Sequence, residues 1–287
     1  MNFLKLRQII SKINTLKMEL DILISTANEG INNIHRLFLE PMNGVKYIIS
    51  HQIFNNKTYD VEFNRKDILY KKIFSRGLAK NRNKTLSMAS ADICLISDDD
   101  VLYKKKWLEN IFKAFRENPE SDIITFKVKT NEGEPKFKNY PTNPYWHNLR
   151  TVFQVSSIEI AFKLEKIQQT GLKFDEKFGI GELFNIGEEN IFLMDALKKG
   201  LNIKFVPYYV VQHSFKKKFT PNTDRKIRTL GALFYRMFGL FCIFINLYSA
   251  IFYYNRYKKI GSIFKFIKLI FNGSFTLFLQ NKRVKNS

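Results

Sequence analysis

Cysteine and acidic side chains are scarce in this 287-residue chain, and each shortage narrows the class of protein. The two cysteines, Cys94 and Cys242, lie far apart in apolar runs, which argues against a disulfide framework or a zinc site and fits a reducing compartment. The 26 acidic residues face 47 lysines and arginines, so the formal charge is +21. Such an excess predicts an anionic partner, which is a nucleotide phosphate, a nucleic acid or an anionic membrane surface.

Acidic residues are absent altogether after Asp224, where residues 225–287 contain twelve lysines or arginines. This segment includes the run "MFGLFCIFINLYSAIFYY", residues 237–254, broken only by Asn246 and Ser249. Eighteen residues are the lower limit for a bilayer span. The pattern predicts a helical, membrane-associating region over 225–287, with helices lying in an anionic leaflet preferred to a true span. A helical subdomain that caps the site is the remaining alternative.

The N-terminal residues 1–20 carry apolar side chains at helical spacing: Phe3, Leu6, Ile9, Ile10, Ile13 and Leu16. The spacing predicts an amphipathic helix packed on the following domain, and a helix on a membrane surface is the alternative. Four basic residues interrupt this stretch and no small-residue cleavage site follows, so we do not expect a secretory signal.

Strand and helix patterns alternate between residues 21 and 224, which we take as one catalytic domain. Short β-rich runs occur at 21–26, 45–52, 67–74, 92–97 and 122–128. Amphipathic stretches lie between them, the clearest at 77–90 and 107–115. A further helix is predicted from about Glu188 to Lys199, and a strand that ends at His213 follows it. Such alternation predicts an α/β fold with a mostly parallel sheet covered by helices.

Polar clusters follow three of the predicted strands: "TANEG" after the first, "SHQ" at the end of the second and "DDD" after the fourth. Ligands bind beyond the carboxyl ends of strands in such sheets, so these clusters predict a common site. Consecutive aspartates suit Mg²⁺ or Mn²⁺, which prefer carboxylate oxygens. The alternative is a helix cap, since aspartates also suit the start of the helix that contains Trp107.

Three segments follow one another in an order that is specific to one enzyme family: "DILISTANEG", "SRGLAKNRNKTLSMASADICLISDDDVL" and "FDEKFGIGELFNIGEENIFLMDALKKG". On these motifs, residues 20–215 resemble the family 2 glycosyltransferases, inverting enzymes with the GT-A fold. The resemblance implies a Rossmann-like, mostly parallel sheet sandwiched by helices. It also implies a nucleotide-diphosphate-sugar donor and dependence on Mn²⁺ or Mg²⁺.

The resemblance also implies roles for the three aspartates. Asp98 and Asp100 would form the DxD pair, Asp100 as the direct metal ligand and Asp98 nearer the ribose. A register shifted to Asp99 and Asp100 is the alternative, because many members carry Asp where this chain has Ser97. His213 would be a further metal ligand, and a purely structural histidine is its alternative.

Donor-binding positions follow in the same way. Thr26, Ala27 and Glu29 match the loop that holds the nucleoside, and Gln52 stands near the place of a base-binding aspartate. Uracil is the base expected, although glutamine at that position departs from the family pattern. Arg82 matches an arginine near the nucleotide, and a solvent-facing helix charge is its alternative.

Catalysis by inversion requires a carboxylate that deprotonates the acceptor hydroxyl. The resemblance assigns this role to Glu189, with Glu188 as the fallback. Acceptor contacts are expected in the loops 131–146 and 177–186.

The implied function is transfer from a UDP-sugar to a hydroxyl of a glycan or lipid-linked acceptor in surface polysaccharide synthesis, at the cytoplasmic face of the inner or plasma membrane. Metal-dependent nucleotidyl transfer is one alternative, although "TANEG" is a poor phosphate loop. A non-catalytic basic protein that binds membranes or nucleic acid is the other. Because no nucleic-acid-binding signature is recognisable, we do not expect a nucleic-acid partner.

Overall fold

The computed structural model describes residues 18–215, 223–253 and 262–285. The predicted N-terminal helix over 1–20 therefore lies almost wholly outside the described residues. Its last residue, Leu20, is already the first residue of strand β1.

Nine strands form one sheet: β1 (Leu20–Ala27), β2 (Val45–Gln52), β3 (Ile68–Ile73), β4 (Ile93–Asp98), β5 (Val101–Leu102), β6 (Ile123–Lys129), β7 (Tyr145–Trp146), β8 (Ile160–Lys163) and β9 (Ile203–His213). Their order is β3-β2-β1-β4-β8-β6-β9-β5, and β7 pairs with β9. The five strands expected from the first half of the sequence and the strand that ends at His213 are all present.

The sheet is mixed, and the parallel pairing expected from the sequence holds in two parts of it. β3, β2, β1 and β4 pair parallel, as do β6 and β9. Between these parts lies β8, which runs antiparallel to both β4 and β6. Strand β8 was not predicted, because its four residues, IAFK, are too few to show a period in the sequence.

Seven α-helices occur in the described residues: α1 (Leu78–Met88), α2 (Lys105–Glu117), α3 (Leu164–Thr170), α4 (Glu188–Lys198), α5 (Thr223–Phe238), α6 (Cys242–Tyr253) and α7 (Ile263–Lys285). The helix expected after β1 is a 3-10 helix, Asn28–Leu37.

Alternating side chains of the strands build a hydrophobic core on each face of the sheet. In β1, Ile22 and Ile24 face the core that includes Leu108 of α2. Leu23, between them, faces the core that includes Phe192 of α4. Each fully buried apolar side chain of this size contributes about 1.5–3 kcal/mol through removal of its surface from water. The helices therefore cover both faces, as the GT-A-like α/β architecture requires.

The C-terminal helices pack against this domain and against one another. Leu233 and Met237 of α5 are buried in the same core as α4. Arg236 donates to Asp175 (2.5 Å) and to Asp195 (2.7 Å), which ties α5 to the loop before α4 and to α4 itself. Two stretches, 224–252 and 263–282, are long and apolar enough by length and composition to cross a bilayer.

Candidate active site

The three consecutive aspartates follow one another in sequence but have three different partners. Arg82 donates to Asp98 (Nη2 to Oδ1, 3.0 Å), and Thr26 donates to Asp99 (Oγ1 to Oδ2, 2.5 Å). His213 lies beside Asp100 (Nε2 to Oδ1, 3.2 Å). The turn between β4 and β5 thus directs each carboxylate to its own partner, and the cationic or hydrogen-bonding groups relieve the repulsion among them. The helix-cap alternative fails, because α2 begins only at Lys105.

Asp99 points back toward the loop after β1. Burial raises the pKa of its carboxyl, the hydrogen bond from Thr26 opposes that shift, and the charges of Asp98 and Asp100 add to it. Gly30 makes the approach possible, since a Cβ there would lie 2.1 Å from Asp99 Oδ2. The "TANEG" loop after β1 and the three aspartates therefore pack against each other.

Asp100 and His213 are brought together by the sheet, because Val101 of β5 pairs with His213 of β9. The hydrogen bond with Asp100 raises the pKa of His213, partly offset by burial. Within the described residues no group of three or more His, Cys, Asp or Glu side chains could hold a metal by itself. A carboxylate and an imidazole are nonetheless suitable ligands for Mn²⁺ or Mg²⁺, which keep other positions for phosphate oxygens and water. The residues present fit such a metal.

Arg82 lies inside the protein, so the alternative of a solvent-facing charge is wrong. Its side chain is 3% exposed and joins two carboxylates, donating through Nη1 to Glu188 (2.6 Å) and through Nη2 to Asp98 (3.0 Å). Glu188 is buried as well, so Arg82 neutralises it where water cannot. Arg82 therefore links the aspartate turn to the start of α4.

Glu189 follows Glu188 in the first turn of α4, after Gly187 in the left-handed region (φ 97°). A Cβ at Gly187 would lie 2.9 Å from Leu233, so glycine also allows α5 to approach. Burial, followed by the negative charge of Glu188, raises the pKa of Glu189 to about 8, with Arg82 opposing the shift. Glu188 is thus held by Arg82, and the proton affinity of its neighbour Glu189 is raised.

A cavity of about 350 Å³ opens at the carboxyl ends of β1, β2 and β4. Six predicted site residues line it: Thr26, Ala27, Gln52, Asp98, Asp99 and Asp100. Ile180 and Gly181, from the loop 177–186 that was expected to contact the acceptor, line it as well, whereas the other individually predicted residues do not. Arg82, Glu188, Glu189 and His213 lie around the aspartate turn, whereas Glu29 is exposed at the surface and pairs with Lys57 (2.8 Å).

Among the cavity residues that were not singled out from the sequence are Phe54, Arg76 and Asn81. The Arg76 guanidinium lies 5.4 Å from the centre of the Phe54 ring, so an aromatic face and a cation share one wall. Asn81 donates to the Thr26 carbonyl (2.9 Å) and so fixes the loop after β1. The sequence did contain a signal for Asn81, since this residue immediately precedes the predicted site residue Arg82 in α1. Phe54 and Arg76 lie in irregular segments that contain no such signal.

Residues 60–187 match the family model described as Glycosyl transferase family 2. A crystal structure of S. aureus TarS, fragment 1-349, superposes with a TM-score of 0.60 at 14% identity, covering 91% of this chain and 83% of that one. The same fragment in complex with UDP-GlcNAc gives 0.60 at 14% identity, over 88% and 79%. Its complex with UDP gives 0.54 at 14% identity, over 91% and 83%. No curated protein matches the sequence.

Proposed function

We propose that this chain, whose residues 60–187 match the family 2 glycosyltransferase model, is a glycosyltransferase that transfers a sugar from a UDP-sugar to an acceptor hydroxyl with inversion. The acceptor is a glycan or a lipid-linked saccharide of surface polysaccharide synthesis. The observation that carries the proposal is the cavity at the strand ends, lined by the β1 loop and the aspartates beside His213. The similar fold of a protein crystallised with UDP and with UDP-GlcNAc supports the choice of donor.

The nucleoside is held in this cavity by Thr26, Ala27 and Gln52. Gln52 is buried at the end of β2, where Nε2 donates to Ser75 Oγ (3.0 Å), so its amide oxygen is left to accept from a base. The ring of Phe54 offers a surface for stacking, and Arg76 offers a cation to the diphosphate. Asp98, restrained by Arg82, is placed for the ribose.

Asp100 and His213 are the residues that would hold Mn²⁺ or Mg²⁺. Such an ion, when bound, stabilises the negative charge that develops on the departing nucleoside diphosphate. The pair contributes one charged and one neutral ligand, and its position beside the nucleoside cavity supports this assignment.

Glu189 acts as the general base. The acceptor oxygen attacks the anomeric carbon in line with the bond to the diphosphate, that bond breaks, and the hydroxyl proton passes to Glu189. A pKa raised toward 8 gives the carboxylate the proton affinity that this transfer needs. Arg82 holds Glu188 in an ion pair (Nη1 to Oε1, 2.6 Å), so Glu189 is the glutamate to which we assign the proton transfer.

A panel of nucleotide sugars incubated with the full chain and Mn²⁺ tests the function directly. We expect metal-dependent release of UDP from at least one UDP-sugar, and calorimetric binding of UDP that disappears with chelator. Glu189→Gln should retain UDP binding and lose transfer by about 10²–10⁴-fold. Glu165→Gln, in the first turn of α3, is the matched control and should retain activity.

Outcomes of the same panel separate the rival functions. Release of pyrophosphate in place of UDP would identify a nucleotidyltransferase. Absence of turnover together with strongly salt-dependent binding of DNA would identify a non-catalytic nucleic-acid binder. Equal binding of UDP with and without chelator would contradict the metal assignment.

We further propose that the C-terminal helices attach the enzyme to the cytoplasmic face of an anionic membrane. Helix α6 is amphipathic with its apolar side outward, since six large side chains are exposed: Ile243, Phe244, Leu247, Tyr248, Ile251 and Phe252. Its polar residues Asn246 and Ser249 are buried instead, and Asn246 donates to Ser274 of α7 (2.9 Å). Helices that face lipid pack through small and polar residues in this way.

Charge and helix crossing support the same assignment. Residues 225–287 carry twelve cations and no acid, which complements an anionic leaflet. Helices α5 and α7 cross so closely that a Cβ at Gly231 or Gly273 would lie 1.8 Å from a backbone oxygen of the other helix.

The expected boundary at residue 224 stays a prediction. Deleting 225–287 would also uncover the core around Leu233 and Met237, so point variants are the better test.

Flotation with vesicles of phosphatidylcholine containing phosphatidylglycerol measures this attachment. Phe244→Asp/Ile251→Asp should lower the bound fraction more than tenfold, because each apolar side chain contributes about 1.5–3 kcal/mol when removed from water. Phe74→Asp/Leu149→Asp changes two exposed apolar residues of the catalytic domain and should have little effect. Unchanged flotation of the α6 variant would refute the assignment. Loss of a dimer without loss of flotation would identify a second copy as the partner.

A further inference from the structure

A second groove, of about 230 Å³, lies at the carboxyl end of β6. It is formed by β6, β9 and the loop that follows β6, and it shares no residue with the cavity assigned to the donor. Four lysines line it: Lys127, Lys129, Lys136 and Lys138. No acidic residue of the described chain belongs to its lining. The groove is therefore basic by construction.

Within the part of the chain that the structure describes, Lys138 is the one lysine of the groove that forms an ion pair. Lys138 Nζ lies 2.7 Å from Glu159 Oε1, which is itself buried. Lys127 and Lys129 instead approach a single aromatic ring, with Nζ atoms 4.3 Å and 5.7 Å from the centre of Tyr209. Cations gathered without counter-charges repel one another, and an anion placed among them relieves that repulsion. The aromatic ring holds two of the ammonium groups in place without cancelling their charge.

The groove adjoins the candidate catalytic residues. Lys129 is paired in the sheet with Gln212, the residue before His213. The ring of Phe137, which also lines the groove, lies 6.0 Å from the His213 ring. A molecule in the groove would thus lie near His213 on the side of β6 and β9, whereas the donor cavity is formed by β1, β2 and β4.

We propose that this groove, lined by Lys127, Lys129 and Lys136, is the acceptor subsite and that it binds an anionic group, a phosphate or a carboxylate, carried by the acceptor saccharide. The proposal rests on the proposed transferase function and names the acceptor class for it. Tyr140 and Phe137 supply aromatic surface in the groove, and the lysines select for charge.

Three matched trisaccharides test the proposal: neutral maltotriose, a phosphorylated maltotriose and trigalacturonate. Their binding to the full chain is measured by calorimetry with UDP and Mn²⁺ saturating the donor site. At least one anionic trisaccharide should bind about tenfold or more tighter than maltotriose, as expected for a new charge-assisted contact. Phosphate preference or carboxylate preference then decides between the two acceptor chemistries.

The variant Lys127→Gln/Lys129→Gln/Lys136→Gln should lose this preference and keep its affinity for UDP. The control Lys46→Gln/Lys105→Gln/Lys106→Gln removes the same charge from exposed positions elsewhere and should keep both properties. Equal affinity of the wild type for all three trisaccharides, or equal losses in the two variants, would overturn the proposal. Loss of phosphatidylglycerol vesicle binding alone would also overturn it, in favour of a lipid-headgroup contact. Failure of the wild type to release UDP from any nucleotide sugar would instead count against the transferase function.

Discussion

Replacing Arg82 by methionine is the sharpest test of how the site is held together. The substitution keeps most of the side-chain volume and removes the one cation that joins Asp98 to Glu188. Glu188 is buried, so it would keep its charge without compensation or take up a proton. Asp98, with 35% of its side chain exposed, can be rehydrated and contributes less to the loss.

The expected loss follows from this difference in burial. Breaking a buried ion pair by removing one partner costs about 3–5 kcal/mol of unfolding free energy. We expect losses in that range for the variant, because the Glu188 carboxylate would stay buried without its counter-charge.

Urea unfolding of the full chain in non-ionic detergent, followed by tryptophan fluorescence, measures these losses. The double variant Arg82→Met/Glu188→Gln should recover about 2 kcal/mol, since neither charge is left buried. Arg65→Met is the matched control, because Arg65 pairs with Asp67 at 28% exposure and should cost about 1 kcal/mol or less. A loss below that of the control, or no recovery in the double variant, would refute the reasoning.

Three other predictions concern Glu189, the pair Asp100 and His213, and Gly30. The raised pKa of Glu189, about 8, predicts that wild-type stability falls as pH rises from about 4.5 through 8 and that Glu189→Gln removes this component, which melting temperatures from pH 5 to 9 would reveal. Asp100→Asn and His213→Ala should each weaken Mn²⁺-dependent UDP binding by about tenfold or more in calorimetry, and unchanged binding would exclude them as ligands. Gly30→Ala should displace Asp99, whose Oδ2 would lie 2.1 Å from the new Cβ, and should lower the affinity for UDP. An unaltered affinity would show that Asp99 does not contribute to donor binding.

Most elements of the catalytic domain were predictable because their signals are local. The long strands β1, β2, β4, β6 and β9 and the helices α1, α2 and α4 all occur close to their expected positions. Strand β8 escaped prediction, although its insertion between β4 and β6 is what makes the sheet mixed. Four apolar residues carry no period, and only their two neighbouring strands determine that they are extended.

The aspartate turn shows where local signals end. The residues alone left open a metal site, a shifted register and a helix cap. The partners that distinguish these alternatives are distant in sequence, since Thr26 lies 73 residues from Asp99 and Arg82 lies 106 residues from Glu188. A sequence pattern does not show which of three adjacent carboxylates contacts which partner, because that depends on how the ends of distant strands come together at the edge of the sheet.

By itself the sequence determined the α/β architecture, the excess of positive charge, the aspartates at a strand end and the basic apolar C-terminal region. These properties follow from hydrophobic periodicity and composition, which act over a few residues. Only the tertiary structure decided that Arg82 is buried between two carboxylates, that α6 turns Asn246 inward and its aromatic residues outward, and that Lys127 and Lys129 meet over Tyr209. The interaction energy of two groups depends on the distance between them and on their burial, and the tertiary fold determines both.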